Sequence, residues 1–470
     1  MPIRRCALVF SLVLVCAWLS PAANGQSRPD VDPRVEKLLN DISEDRLRTL
    51  LTRLVSFGTR STLSDASSPT RGIGAARQWI FDELRRSSPR LQVSFDTHVL
   101  PPQMQLTRQA EIRNVLAVLP GRSARRIYIS GHYDSLNSGR RTLDNYSRAA
   151  TELAPPDLRM DPKFDHNVDA PGANDNGSGT VLTMELARVF AASDLDFDAT
   201  LVFALWAGEE QAMLGAHAHA QGARLQKIPI EAVLNNDIVG NVQGLDGKTD
   251  SRTVRVYSAG PEDSPSRALA RHVERVGAAY LPSHRARLMG REDRFSRGSD
   301  HVVFRQEGFP AIVFRESVEN LSRQHSALDT LDGVDISYLR ENARINAAAA
   351  ATLALAPPSP ALSGDRQQLL LSRDPSGADA SLRWQRAPGA AGYRVYWRDT
   401  WSNDWQHRRD VGNVTQVTLP GLSIDDYVFG VSALGADGFE SVVSAYVVVP
   451  RDVPPLAPLA GKSEKDAGVR

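Results

Sequence analysis

Two adjacent glutamates, Glu209 and Glu210, follow the apolar run TLVFALWAG, which begins at Thr200. A run without polar alternation is typical of a strand that is buried on both faces. Neighbouring side chains at a strand end point in different directions, so one carboxylate can bind a metal ion while the other faces a water molecule. Taken alone, such a pair more often marks a solvated helix start, where acids complement the helix dipole. The assignment therefore depends on what else the fold brings to this place.

Further acids and histidines lie at the ends of other predicted strands or at the start of a helix. The carboxyl ends of neighbouring parallel strands meet at one edge of a sheet, so residues that are distant in sequence converge there. Two histidines and three carboxylates are enough for two zinc ions if one carboxylate bridges them, which leaves Glu209 as a base. An acid two residues beyond a histidine can also accept the N–H of the imidazole. The residues concerned are His132, Asp134, Asp175, Asp237 and His325.

Thiolate chemistry is excluded from any such site. The only cysteines, Cys6 and Cys16, lie in an apolar segment behind Arg4 and Arg5, and a small-residue cleavage pattern ends near Gly25. This pattern predicts a signal peptide over 1–25 and an exported, secreted or periplasmic protein. The segment contains two arginines and no acid, so its removal leaves a formal charge of −2. We expect no nucleic-acid partner and no membrane span in the mature chain.

Five motifs, in order, are GHYDS, PGANDNGSG, WAGEE, NND and HSALDT. Together they resemble the exported zinc aminopeptidases with a co-catalytic pair of zinc ions, relatives of bacterial leucyl aminopeptidase and of glutamate carboxypeptidase. The resemblance covers about Arg34 to Ala356 and implies an α/β/α sandwich around a mixed, mainly parallel sheet of eight strands. It also implies the ligands: His132 and Asp237 on one zinc, Glu210 and His325 on the other, Asp175 bridging both, and Glu209 as general base.

The sequence departs from this family immediately before the last histidine. Many members have an oxyanion-stabilising tyrosine there, whereas this chain has Gln324. Our hypothesis for that role is His301, in GSDHVVF, with loop packing or a tyrosine elsewhere as the alternatives. Nearby arginines at 285, 287, 291, 294 and 297 are interpreted as a solvated loop, in which Arg294 and Arg297 are candidates for substrate contact. His217 and His219 lie two apart on a predicted helix and cannot share a face, so we assign them to packing or surface.

The order of predicted elements supports an α/β domain over 34–356, because helices and strands alternate along it. A single helix is predicted from Arg34 to Phe57, and a long polar segment at 135–171 interrupts the domain. Beyond it, short alternating strands over 365–450 predict a small all-β sandwich that resembles a fibronectin type III domain and whose partner is unknown. Residues 451–470 predict a disordered tail.

The sequence therefore predicts a secreted or periplasmic zinc-dependent exopeptidase that cleaves N-terminal residues from peptides with two zinc ions. One alternative is a carboxypeptidase or a glutaminyl cyclase-like enzyme on the same scaffold. Another is a non-catalytic binding protein that displays the β module.

Overall fold

A computed structural model describes residues 31–103, 105–138, 165–364, 368–375 and 377–447. The predicted signal peptide and tail lie outside these residues, as does most of the polar segment. None of the helices in the described ranges is long and apolar enough to cross a membrane.

An eight-stranded mixed sheet forms the centre of the larger part of the chain. Its strand order is β1-β2-β4-β3-β5-β8-β6-β7, and four of the seven adjacent pairs are parallel. The strands are β1 (Gln92–Leu100), β2 (Ala110–Leu119), β3 (Arg126–His132), β4 (Thr200–Trp206), β5 (Ile230–Asn236), β6 (Thr253–Ser258), β7 (Arg285–Met289) and β8 (Ala311–Glu316).

Helices cover both faces of this sheet. They are α1 (Pro33–Asn40), α2 (Glu44–Val55), α3 (Gly72–Ser87), α4 (Gly179–Ala192), α5 (Leu214–Leu225), α6 (Pro265–Tyr280), α7 (His301–Gln306) and α8 (Ile336–Leu355).

The alternation of side chains along β4 explains the two apolar layers. Leu201, Phe203 and Leu205 pack into the larger core with most of the helices, whereas Val202 and Trp206 face α5 and α7 on the other side. Because both faces are covered, the central strands are apolar throughout. The predicted fold class, an α/β/α sandwich followed by a small all-β unit, is confirmed.

The single helix predicted over 34–57 is wrong, because α1 ends at Asn40 and α2 begins at Glu44. Ser43 caps α2 by accepting the backbone N–H of Arg46, and its own N–H donates to Glu185. Serine followed by two acids is a helix-start pattern, which the apolar spacing on either side obscured.

In the C-terminal part, the described residues form seven strands in two antiparallel sheets, ordered β13-β10-β9 and β12-β11-β14-β15. Its likeness to a fibronectin type III domain stays a prediction. The strands are β9 (Leu371–Arg373), β10 (Asp379–Arg383), β11 (Gly392–Asp399), β12 (His407–Gly412), β13 (Gln416–Ser423), β14 (Tyr427–Leu434) and β15 (Ser444–Ala445).

Partly buried ion pairs join this small unit to the larger one. Arg398, 3% exposed, donates to both carboxylate oxygens of Asp263 at 2.7 and 2.9 Å. Glu440 accepts from Arg275 of α6 at 2.8 Å, and Phe439 packs into the main core. The β-sandwich is therefore docked against the α/β unit.

Candidate metal centre

Parallel strands β3, β4 and β5 bring most of the predicted site residues together. His132 is the last residue of β3, Asp237 directly follows β5, and the turn after β4 carries Glu209 and Glu210. Gly208 in that turn has a φ of 71°, in the left-handed region that favours glycine.

Asp175 lies between the two predicted histidine ligands. Its Oδ1 is 3.5 Å from Nε2 of His132, and its Oδ2 is 3.2 Å from Nε2 of His325. Asp237 approaches His132 Nε2 at 3.6 Å, and Glu210 approaches His325 Nε2 at 3.3 Å. Two three-residue groups result, His132–Asp175–Asp237 and Asp175–Glu210–His325, each with ligand atoms within 4.8 Å of one another.

The centre concentrates buried negative charge. Burial, together with Asp175 and Glu209, raises the pKa of Glu210 well above its usual range. Burial also raises the pKa of Glu209. Desolvated carboxylates this close repel one another unless a cation lies among them.

The donor atoms fit a metal ion. Among the described residues, Nε2 of His132 and Oε1 of Glu210 are buried without a hydrogen-bond partner. Buried polar atoms are rarely left unsatisfied, and a cation bound between these groups would satisfy both. Imidazole nitrogen with carboxylate oxygen is a donor set that zinc accepts. The five residues can therefore hold a metal ion, with zinc well suited.

Asp134 has a different role from the one predicted. Nδ1 of His132 lies 3.2 Å from the backbone carbonyl of Asp134 and 3.6 Å from its carboxylate. The carboxylate instead accepts the backbone N–H groups of Glu209 and Glu210, at 3.2 and 3.1 Å, and the hydroxyl of Thr62 at 3.0 Å. Asp134 thus positions the glutamate pair through its backbone.

Asp175 is held by an acid that the sequence analysis did not assign. The carboxylate of Asp329 accepts the backbone N–H groups of Asn174 and Asp175, at 3.0 and 2.8 Å. Asp329 belongs to the HSALDT motif, so its position relative to His325 was the available indication. The loop that carries one ligand therefore also fixes the other.

Arg315 supports Asp237 and was not predicted from the sequence. The side chain is fully buried near the end of β8, with Nη1 2.9 Å from Asp237 Oδ2. Its other N–H groups donate to Asp293 at 2.8 and 3.0 Å. A buried cation beside Asp237 keeps that carboxylate ionised and ready to bind a metal.

His301 lies against a neighbouring turn. Its ring is 1% exposed, with Nε2 3.0 Å from the carbonyl of Glu292 and 3.9 Å from Asp293. Burial lowers the pKa of His301, so the neutral ring is favoured. The preceding Asp300 is also buried, and burial and Glu209 raise its pKa. An oxyanion role for His301 stays a prediction.

The interpretation of the nearby arginines as a solvated loop holds for the exposed Arg291 and is wrong for the other four. Arg285 and Arg287 belong to β7 at the edge of the sheet. Arg294 and Arg297 bind Glu319 at 2.7 and 3.0 Å and are mostly covered. Alternation in RARLM was the available indication of a strand, which the charged residues obscured.

His219 packs as expected. Its Nδ1 is 2.9 Å from Asp96, and its Nε2 is 3.1 Å from the Tyr128 hydroxyl.

Comparison with known proteins assigns the family. The model of Peptidase family M28 matches residues 114–350. The chain belongs to Peptidase family M28. This M28 peptidase is 34% identical over 454 residues to a protein of Pyricularia oryzae named "Probable zinc metalloprotease", covering 88% of this chain and 84% of that one. A protein of Leptosphaeria maculans with the same designation is 34% identical over 452 residues, with 89% and 97% covered.

Solved structures show the same fold. The Legionella pneumophila LapA aminopeptidase matches with a TM-score of 0.51 and 21% identity, over 68% of this chain and 74% of that one. LapB from the same organism matches with a TM-score of 0.50 and 20% identity, over 69% and 75%. Membership of this family confirms the prediction that the chain is a zinc-dependent peptidase. Peptides are the substrates that a peptidase family implies.

Proposed function

We propose that this M28 peptidase is an exported zinc metalloaminopeptidase that removes N-terminal residues from peptides with two zinc ions and a glutamate base. The observation that supports it most is the position of Asp175, whose two oxygens face different histidines. A carboxylate placed in this way can bridge two cations, and two-metal sites act on both the attacking and the leaving group of a hydrolysis.

The ligand assignment follows the two groups of donor atoms. One zinc would be held by His132, Asp175 and Asp237, and the other by Asp175, Glu210 and His325. Bound zinc supplies Lewis-acid polarisation of a peptide carbonyl and lowers the pKa of water.

Glu209 is the base in this proposal. It belongs to neither ligand group, its Oε2 lies 3.9 Å from His132 Nε2, and its side chain is 14% exposed. From there the carboxylate takes a proton from the attacking water and returns it to the leaving amine. Burial raises the pKa of Glu209 to about 8, and a pKa close to the operating pH suits a group that both accepts and donates a proton.

Cleavage at the N-terminus is supported by the motif resemblance and by the fold shared with LapA, which is named an aminopeptidase.

Export is proposed from the leader pattern over 1–25 alone. N-terminal sequencing of the protein recovered outside the cytoplasm should give a start near residue 26, and an intact leader on cell-retained protein would contradict export.

The substitution Glu209→Gln tests the mechanism. Turnover of N-terminally free peptides should fall about a hundred- to ten-thousand-fold while zinc content stays at two per chain, because only proton transfer is lost. Glu36→Gln, exposed on α1, removes the same charge far from the centre and serves as the matched control. Activity that survives Glu209→Gln would contradict the assigned base.

Metal analysis and product analysis separate the alternatives. The His325→Ala variant should keep one zinc ion per chain, because the group formed by His132, Asp175 and Asp237 stays intact. A zinc content of one per chain in the wild type would instead favour a cyclase-like enzyme. A peptide library shortened from the carboxyl end would identify a carboxypeptidase. A zinc-loaded protein that cleaves nothing would be a binding protein.

A further inference from the structure

Arg60 is buried beside the candidate metal centre, with 1% of its surface exposed. Its guanidinium donates to three backbone carbonyl oxygens, those of Tyr133 at 2.6 Å, Pro171 at 2.6 Å and Gly172 at 2.8 Å. These acceptors belong to two segments that carry proposed zinc ligands. We define them as the His132 loop, residues 132–135, and the Asp175 loop, residues 171–177.

The His132 loop begins with the last residue of β3. Tyr133 stands between His132, a proposed ligand, and Asp134, which binds the backbone of the glutamate pair. A buried backbone carbonyl needs a hydrogen-bond donor, and Nε of Arg60 supplies one to Tyr133. Arg60 therefore fixes the chain at the point where it leaves His132.

The Asp175 loop contains a turn that Arg60 contacts from outside. The backbone N–H of Gly177 donates to the carbonyl of Gly172 at 2.9 Å, and Nη2 of Arg60 donates to the same oxygen. Gly172 has a φ of 51°, in the left-handed region, and a Cβ added there would lie 2.8 Å from Nη2 of Arg60. Glycine at this position therefore leaves room for the guanidinium.

The hydroxyl of Ser135 reinforces the connection between the two loops. It accepts the backbone N–H of Arg60 at 3.0 Å and donates to the carbonyl of Ala170 at 2.8 Å. The backbone N–H of Ser135 donates in turn to the carbonyl of Arg60 at 3.3 Å. The chain around Arg60 is thus bonded on one side to the His132 loop and on the other to the start of the Asp175 loop.

We propose, on the basis of the ligand assignment above, that Arg60 is a positioning residue that holds the His132 loop and the Asp175 loop in their zinc-binding arrangement before zinc binds. A planar guanidinium donates in several fixed directions at once, whereas an ammonium is a compact charge on a flexible stem. Loops that are already ordered lose less conformational entropy when zinc binds, so the affinity for zinc is higher.

The positive charge of Arg60 acts in the opposite direction. The guanidinium is attracted by four carboxylates of the centre, those of Asp329, Asp134, Asp175 and Glu210. A fixed cation among acids weakens their attraction for a further cation. Removing Arg60 would therefore strengthen zinc binding if its charge alone acted, and would weaken it if positioning dominates. The sign of the change distinguishes the two effects.

Zinc titration of the metal-free full chain against a competing chelator measures this sign. Arg60→Met should lower zinc affinity about 10- to 100-fold, the usual cost of losing a group that orients a ligand. Arg60→Lys keeps the charge without the planar fork, and its zinc affinity should also fall by about tenfold or more. An affinity equal to or above that of the wild type in either variant would overturn the inference.

Arg267→Met is the matched control for the loss of a buried arginine. Arg267 lies on α6, is 3% exposed, and donates to the hydroxyl and the carbonyl of Ser258. Ser258 pairs with Ile312 near the start of β8, at the end of the sheet opposite the proposed ligands. This variant should lose stability and keep zinc affinity within about twofold of the wild type. A loss of affinity equal to that of Arg60→Met would reduce the effect to general destabilisation and overturn the inference.

Hydrogen exchange in the wild type covers the case in which neither Arg60 variant folds. The Gly177 amide, which closes the turn of the Asp175 loop, should already be protected in the metal-free protein. Protection that appears only when zinc is added would overturn the inference, because the loop would then be ordered by the metal. A wild-type protein that binds no zinc would instead overturn the proposed function.

Discussion

The Oδ2 atom of Asp134 accepts a hydrogen bond from the backbone N–H of Glu210 at 3.1 Å. Its Oδ1 accepts the neighbouring N–H of Glu209, so one fully buried carboxylate fixes the turn that presents both glutamates. The backbone positions of the proposed ligand Glu210 and the proposed base Glu209 therefore both depend on Asp134. In these hydrogen bonds Asp134 contacts their backbone N–H groups and not their side chains.

Asp134→Asn should lower zinc affinity about 10- to 100-fold, the usual cost of losing a group that orients a ligand. An amide replaces one acceptor with a donor, which then faces a backbone N–H. Zinc titration by calorimetry measures this. Thr62→Ala, which removes only the hydroxyl donor to Asp134, should have a smaller effect. Equal affinities in Asp134→Asn and wild type would show that the turn does not need this carboxylate.

Arg315→Met should lower the free energy of unfolding by about 3–5 kcal/mol, because the buried Asp293 loses its bidentate hydrogen bonds from the Arg315 guanidinium. Urea unfolding with zinc present measures the loss. Arg287→Gln on the exposed side of β7 should change stability by less than about 0.5 kcal/mol. Adding Asp293→Asn to Arg315→Met should recover part of the loss, and no recovery would mean that Asp293 is not the stranded charge.

Docking of the β-sandwich should appear as coupling between Asp263 and Arg398. A double-mutant cycle of Asp263→Asn and Arg398→Met should give a coupling energy of about 1–3 kcal/mol, because the ion pair is bidentate and mostly buried. The exposed pair Arg373–Asp425 lies within the sandwich and should give less than about 1 kcal/mol. A coupling energy near zero between Asp263 and Arg398 would indicate that this ion pair does not hold the β-sandwich against the α/β unit.

The pH dependence of stability should carry a contribution from His98. The carboxylate of Asp96, 3.0 Å from Nε2 of His98, raises the histidine pKa against the opposing effect of burial. The stabilisation is therefore fully present below the unfolded pKa of about 6.5 and is lost as pH rises through the folded pKa. His98→Gln should destabilise the protein more at pH 6 than at pH 9, by up to about 1 kcal/mol at this partly exposed site.

Unfolding curves at the two pH values measure the His98 effect. In an Asp96→Asn background the same substitution should cost equally at both, since the charged partner is gone. A pH-independent cost in the wild-type background would exclude this ion pair as the source.

Strand-end motifs were the most predictable part of the molecule. His132, Asp237 and the Glu209–Glu210 pair follow buried apolar runs, and parallel neighbours must meet at one edge of a sheet. The misassigned strand β7 has a different cause. β7 lies at the sheet edge and contains two exposed arginines, and a strand with a solvated face lacks the apolar pattern that identifies a core strand.

The sequence by itself determined the α/β class, the general alternation of helices and strands and the set of histidines and carboxylates that converge, because periodicity and strand-end position are local properties of the chain. Tertiary structure alone decided which groups orient that set. Asp134 binds the backbone of the glutamate pair, Asp329 binds the backbone of Asp175, and Arg315 pairs with Asp237 at the ends of the neighbouring strands β8 and β5. These partners are up to 154 residues apart, and their pairing follows from packing and burial, which no local pattern encodes.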